Sequence, residues 1–364
     1  MDDGKIRGDR EGNQLLVRAS PPKGEVPYEE GLHTEVPEDK VPDTTTGKAL
    51  EGGPRQGLSP QVVEKAREYA KASRADSTLR TYKSAWSRFE VWCSMRSLPA
   101  LPASPQTVAA YVADSADSLK PQTLRKHLAA ISVVHKVRGL DSPTTHEAVR
   151  LTMAGIARVK GERRSPKKAL RVSHVRRCLD VLGGLPVDTR DRAILLLGFL
   201  TGLRRSEIAA LDLGDITFEP EGVILHLRRS KTDQLGRGRD VLAPYQAREE
   251  ACPVRALRAW LVIRGDEEGP LFIRLDRAAR GFERLSGRGI ARMVQRLAAR
   301  ASLDPSLFSG HSLRRGFCTE ASRLGASEAE ISRSTGHSPG SRVLKGYIEE
   351  GALAEECAAR HIEL

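Results

Sequence analysis

Long parts of this sequence repeat apolar and aromatic residues three or four positions apart, a spacing that places them on one face of an α-helix. In the segment STLRTYKSAWSRFEVWCSMR, Trp86 and Phe89 follow this pattern. Two Ser-Pro pairs, at 59–60 and 104–105, are typical helix starts, because serine can cap the first turn and proline fits inside it. About five helices are therefore predicted within residues 59–160, with most of their aromatic side chains in the core.

The second half of the chain adds a strand signal to the helical one. TRDRAILLLGFLTGLRRSEIAALDLGDI (189–216) predicts an apolar helix, a glycine turn and a shorter amphipathic helix. GVILHLRRSKTDQLGRGRDVLAPY (222–245) alternates as two short strands do, around a basic, glycine-rich connection. The predicted fold class is therefore mainly α with a small β-sheet, in two domains.

Composition suggests the domain boundaries. Residues 1–58 are rich in Gly, Pro, Asp, Glu and Thr, and they contain too little apolar surface to offset the entropy of ordering. This segment is predicted to be a disordered tail. A helical domain is predicted over 59–160, a basic interdomain linker over 161–168, and a second, mostly helical domain over 169–364.

The charge is distributed unevenly between these parts. The chain holds 59 Lys+Arg against 47 Asp+Glu, a net charge of +12, but residues 1–60 carry −4 and the remainder carries +16. A body this basic favours a polyanionic partner, nucleic acid first and an anionic membrane second. No stretch approaches the roughly 20 apolar residues of a membrane span, and neither a signal peptide nor a membrane association is expected. The five scattered cysteines indicate buried thiols in a reducing cytoplasm, without a disulfide framework or a zinc site.

Several basic residues are candidates for contacts with a phosphate backbone. TLRKHLAAISVVHK (123–136) has a cationic patch beside an apolar stripe, which is either a solvated face or a phosphate-binding one. The predicted linker is basic as well. The DNA-binding candidates from the two segments are Arg125, Lys126, Lys136, Arg163 and Arg164.

Four short motifs contain the residues that are candidates for catalysis. Taken singly, each has an ordinary structural explanation: a helix-surface ion pair, a solvated lysine or a half-buried tyrosine. The motifs are TGLRRSEIAAL with Arg204 and Glu207, the hairpin RRSKTD with Lys231, GHSLRRGF with His311 and Arg314, and STGHSPGSRVLKGYIEE with His337 and Tyr347.

In this order the motifs resemble the tyrosine recombinase (phage integrase) family. Its members carry Arg in a TGxRxSE context, Lys on a β-hairpin, His-x-x-Arg, a His or Trp after Gly, and a downstream Tyr. The resemblance covers about 60–364, and the SGHS at 309–312 makes Cre-like members especially similar. The gap from His337 to Tyr347 is ten residues, one more than is usual in the family.

The resemblance implies a site-specific DNA recombinase or integrase with an N-terminal helical core-binding domain and an α/β catalytic domain. Such an enzyme cleaves and rejoins DNA strands through a 3′-phosphotyrosine intermediate. The implied roles are a phosphate clamp for Arg204 and Arg314, hydrogen-bond donation to the phosphate for His311 and His337, proton acceptance for His311, protonation of the leaving oxygen for Lys231, orientation of the cluster for Glu207, and nucleophilic attack for Tyr347.

The implied partners are double-stranded DNA with a specific recombination site and, on that DNA, a homotetramer formed through the C-terminal helix. No cofactor and no metal are expected, and the location is cytoplasmic, associated with the nucleoid when on DNA. Apolar residues of the C-terminal helix could instead pack within the chain; they are Ala352, Leu353, Cys357 and Ile362. Two alternatives remain open: a type IB topoisomerase-like enzyme, which uses nearly the same residues, and a non-catalytic DNA-binding regulator.

Overall fold

The chain divides into two compact units, residues 1–163 and 164–364. The predicted tail and residues 162–166 of the predicted linker lie outside the described residues, so the domain boundaries remain predictions. The computed structural model describes residues 59–72, 74–161, 167–228, 238–275, 282–338 and 340–352.

The described part of the first unit is helical, as predicted from the spacing of its apolar residues. Ser104 caps the third helix, because its hydroxyl accepts a hydrogen bond from the Thr107 amide at 3.0 Å. The helices are α1 (Pro60–Ala72), α2 (Asp76–Ser94), α3 (Pro105–Ser115), α4 (Pro121–Val137) and α5 (Glu147–Lys160).

Aromatic side chains fill the core of this unit, which confirms the prediction made from their spacing. Trp86, Phe89 and Tyr111 are fully buried, and the rings of Phe89 and Tyr111 pack edge to face with centroids 5.0 Å apart. The Tyr111 hydroxyl lies 2.6 Å from Nδ1 of His127. The buried polar end of Tyr111 therefore has a partner inside the core.

The second unit combines helices with a small sheet, so the fold class, mainly α with a small β-sheet, is confirmed. Its helices are α6 (Val172–Asp180), α7 (Pro186–Thr201), α8 (Arg205–Ala210), α9 (Pro253–Arg264), α10 (Gly287–Arg300), α11 (Gly310–Arg323), α12 (Glu328–Thr335) and α13 (Arg342–Ala352). Its strands are β1 (Ile216–Glu219), β2 (Gly222–Leu227) and β3 (Arg239–Pro244).

The three strands form an antiparallel sheet in the order β1-β2-β3. The predicted hairpin corresponds to β2 and β3, whose last pair joins Leu227 to Arg239, and β1 is an additional strand. The connection between β2 and β3 includes 229–237, which lies outside the described residues. The hairpin therefore places Arg239 at the start of β3, near the end where the connection begins.

Helix α7 is buried on almost every side, which explains its continuous apolar sequence. It ends at Gly202, which has a left-handed φ of 64°. A Cβ at this position would lie 2.5 Å from Phe317 and 2.8 Å from Thr335, so the turn requires glycine on steric grounds as well.

Two further predictions concern the cysteines and the absence of membrane spans. Cys93, Cys178, Cys252 and Cys318 are free and buried, as predicted, while Cys357 lies outside the described residues. Within the described ranges, no helix has both the length and the apolar character needed to cross a membrane.

Candidate active site

Arg204 lies directly before α8, at the turn that follows α7. Its side chain is mostly buried and donates from Nη1 to Oε1 of Glu207 at 2.6 Å. The Arg204 amide donates to the other carboxylate oxygen of Glu207 at 2.8 Å. The three-residue spacing in the sequence therefore fixes the arginine through both its backbone and its side chain.

Arg314 projects from the second turn of α11 and is 1% exposed. Its Nη1 donates to the carbonyl oxygens of Gly202 at 2.9 Å and Thr335 at 2.7 Å. These carbonyls lie at the C-terminal ends of α7 and α12, where the last carbonyls of a helix have no partner within the helix. The partial negative charge of two helix ends therefore holds a buried cation.

His337 forms a hydrogen bond with Arg314. Nη2 of Arg314 lies 2.9 Å from Nε2 of His337, and a guanidinium can only donate, so Nε2 is the acceptor. Nδ1 lies 2.9 Å from the Thr335 hydroxyl, which itself donates to the Ile331 carbonyl at 2.6 Å. The proton of the neutral ring is therefore on Nδ1, and both ring nitrogens are used within the protein.

The environment keeps His337 uncharged. Burial, followed by the positive charges of Arg314 and Arg204, lowers the pKa of His337 to about 3. Burial and Arg204 also lower the pKa of Arg314, to about 10, so the guanidinium stays charged at neutral pH. A cation and a neutral acceptor therefore form a stable hydrogen-bonded pair.

His311 and Tyr347 form a second contacting pair, beside Arg314 and His337. Nε2 of His311 lies 2.8 Å from the Tyr347 hydroxyl, although α13 is separated from His311 by most of α11 and all of α12. The Tyr347 ring centroid lies 6.4 Å from that of His337. The longer gap between His337 and Tyr347 thus leaves the tyrosine beside both histidines.

At neutral pH the tyrosine of this pair is a proton donor and the histidine a proton acceptor, although both pKa shifts by themselves oppose transfer of the proton. Partial burial of the ring by its neighbours, followed by the cations led by Arg314, lowers the pKa of His311. Burial raises the pKa of Tyr347, and the Arg315 cation opposes that effect. At neutral pH the tyrosine therefore holds its proton beside an unprotonated base.

One residue of the cluster was not predicted. Arg239, at the start of β3, donates from Nη2 to Oε2 of Glu207 at 3.1 Å, while its buried Nε and Nη1 have no hydrogen-bond partner. A Cβ on Gly336 would lie 2.8 Å from Nε of Arg239, so glycine makes room for this side chain. Arg239 belongs to none of the four motifs, and the basic content of the hairpin was the only sequence signal for it.

The structure thus brings together Arg204, Glu207, His311, Arg314, His337 and Tyr347. Lys231, Arg163 and Arg164 lie outside the described residues. Arg125, Lys126 and Lys136 are exposed on α4 in the first unit.

Comparison with known proteins agrees with this fold and cluster. The phage integrase family model matches residues 168–352. An integrase/recombinase xerD homolog of Selenomonas ruminantium is 36% identical over 303 residues, covering 81% of this chain and 87% of that protein. Recombinase cre of Escherichia phage P1 is 29% identical over 273 residues, covering 67% and 76% of the two chains.

A solved structure shares the fold at low sequence identity. The crystal structure of a lambda integrase dimer bound to a COC′ core site aligns with a TM-score of 0.56 at 16% identity, covering 79% of this chain and 75% of that one.

The fold and the cluster define a tyrosine recombinase. The chain belongs to the phage integrase family, whose members cleave and rejoin DNA strands in site-specific recombination.

Proposed function

We propose that the chain cleaves duplex DNA at a specific site with Tyr347 as the nucleophile. The observation that supports this most directly is the 2.8 Å separation of the Tyr347 hydroxyl from Nε2 of His311, beside the buried Arg314. The tyrosine oxygen attacks the scissile phosphorus and the bond to the 5′ oxygen breaks, which leaves a 3′-phosphotyrosyl link. A second 5′-hydroxyl then reverses the step on the partner strand.

The scissile phosphate is the proposed counter-anion of this cluster. Arg204, Arg239 and Arg314 lie close enough to lower the pKa of His337, and Glu207 is the carboxylate that pairs with two of these arginines. A partly buried surplus of positive charge is unfavourable without a counter-anion. Arg204 and Arg314 therefore hold the non-bridging oxygens, whose charge grows in the transition state.

Proton transfer follows from the same geometry. His311, with its own proton on Nδ1, accepts the tyrosine proton at Nε2 as the new bond to phosphorus forms. The departing 5′ oxygen needs a proton, and Lys231 on the hairpin is the proposed donor, as the family resemblance implies. Glu207 orients Arg204 and Arg239 through its two carboxylate oxygens.

The role of His337 differs from direct donation to the phosphate. Its Nε2 accepts from Arg314, and its Nδ1 hydrogen is used on Thr335. We therefore assign it a positioning role: it fixes the plane of the Arg314 guanidinium, as the two helix-end carbonyls do from the other nitrogen.

The DNA-binding surface extends beyond the cluster. Near the start of α10, a cleft of about 480 Å³ is lined by residues that include Arg274, Arg284, Arg288 and Arg292. Gly287, between the lining residues Ser286 and Arg288, lies against Arg205, the residue that follows Arg204. Phosphates on either side of the scissile one can bind here.

The exposed basic patch of α4 is the proposed contact of the first unit with the DNA backbone, together with the linker arginines Arg163 and Arg164. The lambda integrase relative is a dimer on its core site, and we propose that this chain also assembles on DNA, as a homotetramer. Of the C-terminal residues proposed to join its subunits, Ala352 is the last residue of α13, while Leu353, Cys357 and Ile362 lie outside the described residues. Because its proposed substrate is DNA, we propose a cytoplasmic location, associated with the nucleoid when the enzyme is on DNA.

Covalent capture tests the nucleophile. Incubating the protein with fragmented DNA, denaturing it in SDS and sequencing the attached DNA should identify the cleaved site. A nicked duplex of that sequence should then give a covalent adduct with the wild type, with and without EDTA. Tyr347→Phe should bind the duplex and form no adduct, whereas Tyr245→Phe, a change outside the cluster on an exposed residue, should behave as wild type.

The outcomes separate the alternatives. An adduct with Tyr347→Phe would show that the nucleophile is another residue. Binding without any adduct in the wild type would indicate a non-catalytic regulator. Adduct formation with relaxation of supercoils but no four-strand exchange would indicate a topoisomerase-like enzyme.

A further inference from the structure

The side chain of Arg315 joins three parts of the second unit. It follows Arg314 on α11 and is 15% exposed. Its Nε donates to Oε2 of Glu350 on α13 at 2.8 Å, and its Nη1 donates to the Lys167 carbonyl at 2.9 Å. Its guanidinium carbon lies over the Tyr347 ring, 5.5 Å from the ring centroid.

The segment that supplies the carbonyl is itself fixed on the unit. The Lys168 amide donates to the Leu307 carbonyl at 2.8 Å, and the Leu170 amide donates to the Ser312 carbonyl at 3.1 Å. A Cβ on Gly316 would lie 2.1 Å from the Leu170 carbonyl oxygen, so α11 and this segment are in close contact. Arg315 therefore links α13 to a backbone segment that is itself hydrogen-bonded to the rest of the second unit.

The apolar contacts of α13 lie along one face of the helix, where Tyr347 and Ile348 pack against the same small cluster as Leu344. Leu344 packs against Cys318, and Gly351 lies against the Thr319 carbonyl, which a Cβ would approach to 2.6 Å. These two residues are seven apart, so they lie on nearly one line along the helix. Tyr347 lies roughly 60° to one side of Leu344 and Glu350 roughly 120° to the same side, at about 100° per residue. A bond to Glu350 therefore resists rolling of the helix about that line.

We propose that Arg315 is a positioning residue that, through Glu350, fixes the rotation of α13 and so holds the Tyr347 hydroxyl against His311. This proposal rests on the proposed role of Tyr347. An arginine suits the task because its planar fork bonds two acceptors in different directions, which one lysine ammonium at the end of a flexible chain does poorly. The same cation faces the tyrosine ring, where it favours the phenolate that develops during attack.

The matched pair Glu350→Ala and Glu349→Ala tests the proposal. Both changes place alanine, a good helix former, at neighbouring positions of α13, but Glu349 is exposed and has no contact with Arg315 in the structure. On the nicked duplex recovered by covalent capture, Glu350→Ala should lower the single-turnover cleavage rate on the order of 10- to 100-fold, the scale of an ångström-sized misplacement. Its DNA affinity should match that of Glu349→Ala, which should cleave like the wild type.

Two further variants separate positioning from general support of the fold. Glu350→Gln keeps an acceptor oxygen for Arg315 and should recover much of the rate lost in Glu350→Ala. Arg315→Lys should lose cleavage while retaining binding. Independently of DNA, the ¹⁹F resonance of 3-fluorotyrosine incorporated at position 347 should shift in Glu350→Ala and stay unchanged in Glu349→Ala.

The proposal would be overturned if Glu350→Ala cleaved at the wild-type rate, left the fluorine resonance unchanged, or lost binding and cleavage in equal measure. In any of these cases the adduct would still depend on Tyr347, because the Tyr347→Phe comparison is independent of α13 rotation. An adduct that formed without Tyr347 would instead remove the proposed function itself.

Discussion

At the scale of single residues, the properties of the histidines depend on their neighbours rather than on their motifs. Both histidines of the cluster have lowered pKa values, and burial is the main cause in each case. Their hydrogen-bond partners then separate them: His311 faces a tyrosine hydroxyl and His337 faces a guanidinium. This difference supports the proposal that His311 accepts a proton during the reaction while His337 orients a cation.

His337 should therefore stay neutral through the physiological pH range. Its pKa lies at about 3, against the ordinary 6.5, so between these values the unfolded chain binds more protons at this position than the folded protein. The His337 contribution to stability is complete above about pH 6.5 and is lost as the pH falls through this window. The Cε1 proton signal of His337 in NMR should accordingly show no titration between about pH 5 and 8.

The variant His337→Asn provides the comparison, since its amide oxygen can still accept from Arg314 but cannot take up a proton. The wild type should lose more resistance to urea than the variant when the pH drops from 7 to about 4.5. Equal losses, or an imidazole signal that titrates near its ordinary pKa, would show that Arg314 does not bond to a neutral ring.

At the scale of elements, α7 serves as the central support of the second unit. Its C-terminal carbonyl holds Arg314, and its buried acidic residues hold α10. Asp188 pairs with Arg300 at 2.7 Å, and Asp191 pairs with both Arg190, at 2.8 Å, and Arg296. The two aspartates are three residues apart and the α10 arginines four apart, so each pair lies on one helix face.

Asp191→Ala should destabilise the second unit strongly. Asp191 is fully buried, and the side chain of Arg190 is 5% exposed, so the change leaves a buried guanidinium without its counter-charge. The expected loss is about 3–5 kcal/mol in the free energy of unfolding, measured by urea denaturation. Glu249→Ala is the control, because it removes the exposed Glu249–Arg255 pair and should hardly move the midpoint. Equal losses of unfolding free energy from the two changes would show that the buried ion pairs of Asp191 stabilise the unit no more than an exposed pair does.

At the scale of the whole molecule, the net charge is concentrated outside the first 60 residues. The complete chain carries +12, while the part after residue 60 carries +16. Basic residues occur in both units, on α4 and around the α10 cleft, and each group can contact DNA phosphates. Binding should therefore depend on the release of counterions from the DNA.

The affinity for DNA should fall steeply with salt, on the order of 10³-fold between about 50 and 200 mM if six or more phosphates are contacted. A protein beginning near Leu58 should bind at least as tightly as the full chain, because it lacks the acidic segment, and it should retain strand exchange. Fluorescence anisotropy across a salt series measures the affinity of both proteins for the captured duplex. A recombination assay on the same sequence measures strand exchange. An affinity independent of salt, or a folded truncation without exchange, would contradict it.

The sequence by itself determined the helices of the first unit, the hairpin of the second and six of the residues that meet in the cluster. Periodicity and capping act between residues a few positions apart, so they can be read locally. The order of the four motifs added the family, which local patterns alone do not give.

The tertiary structure decided what those residues touch. Arg239 reaches Glu207 across 32 positions, Arg314 reaches His337 across 23, and Arg315 reaches the Lys167 carbonyl across 148. Arg315 was not among the predicted site residues, and only the packed structure shows that it faces the tyrosine helix and bonds Glu350. Such contacts depend on where the ends of α7, α11, α12 and α13 converge after packing, and long-range packing leaves no periodic mark in the chain.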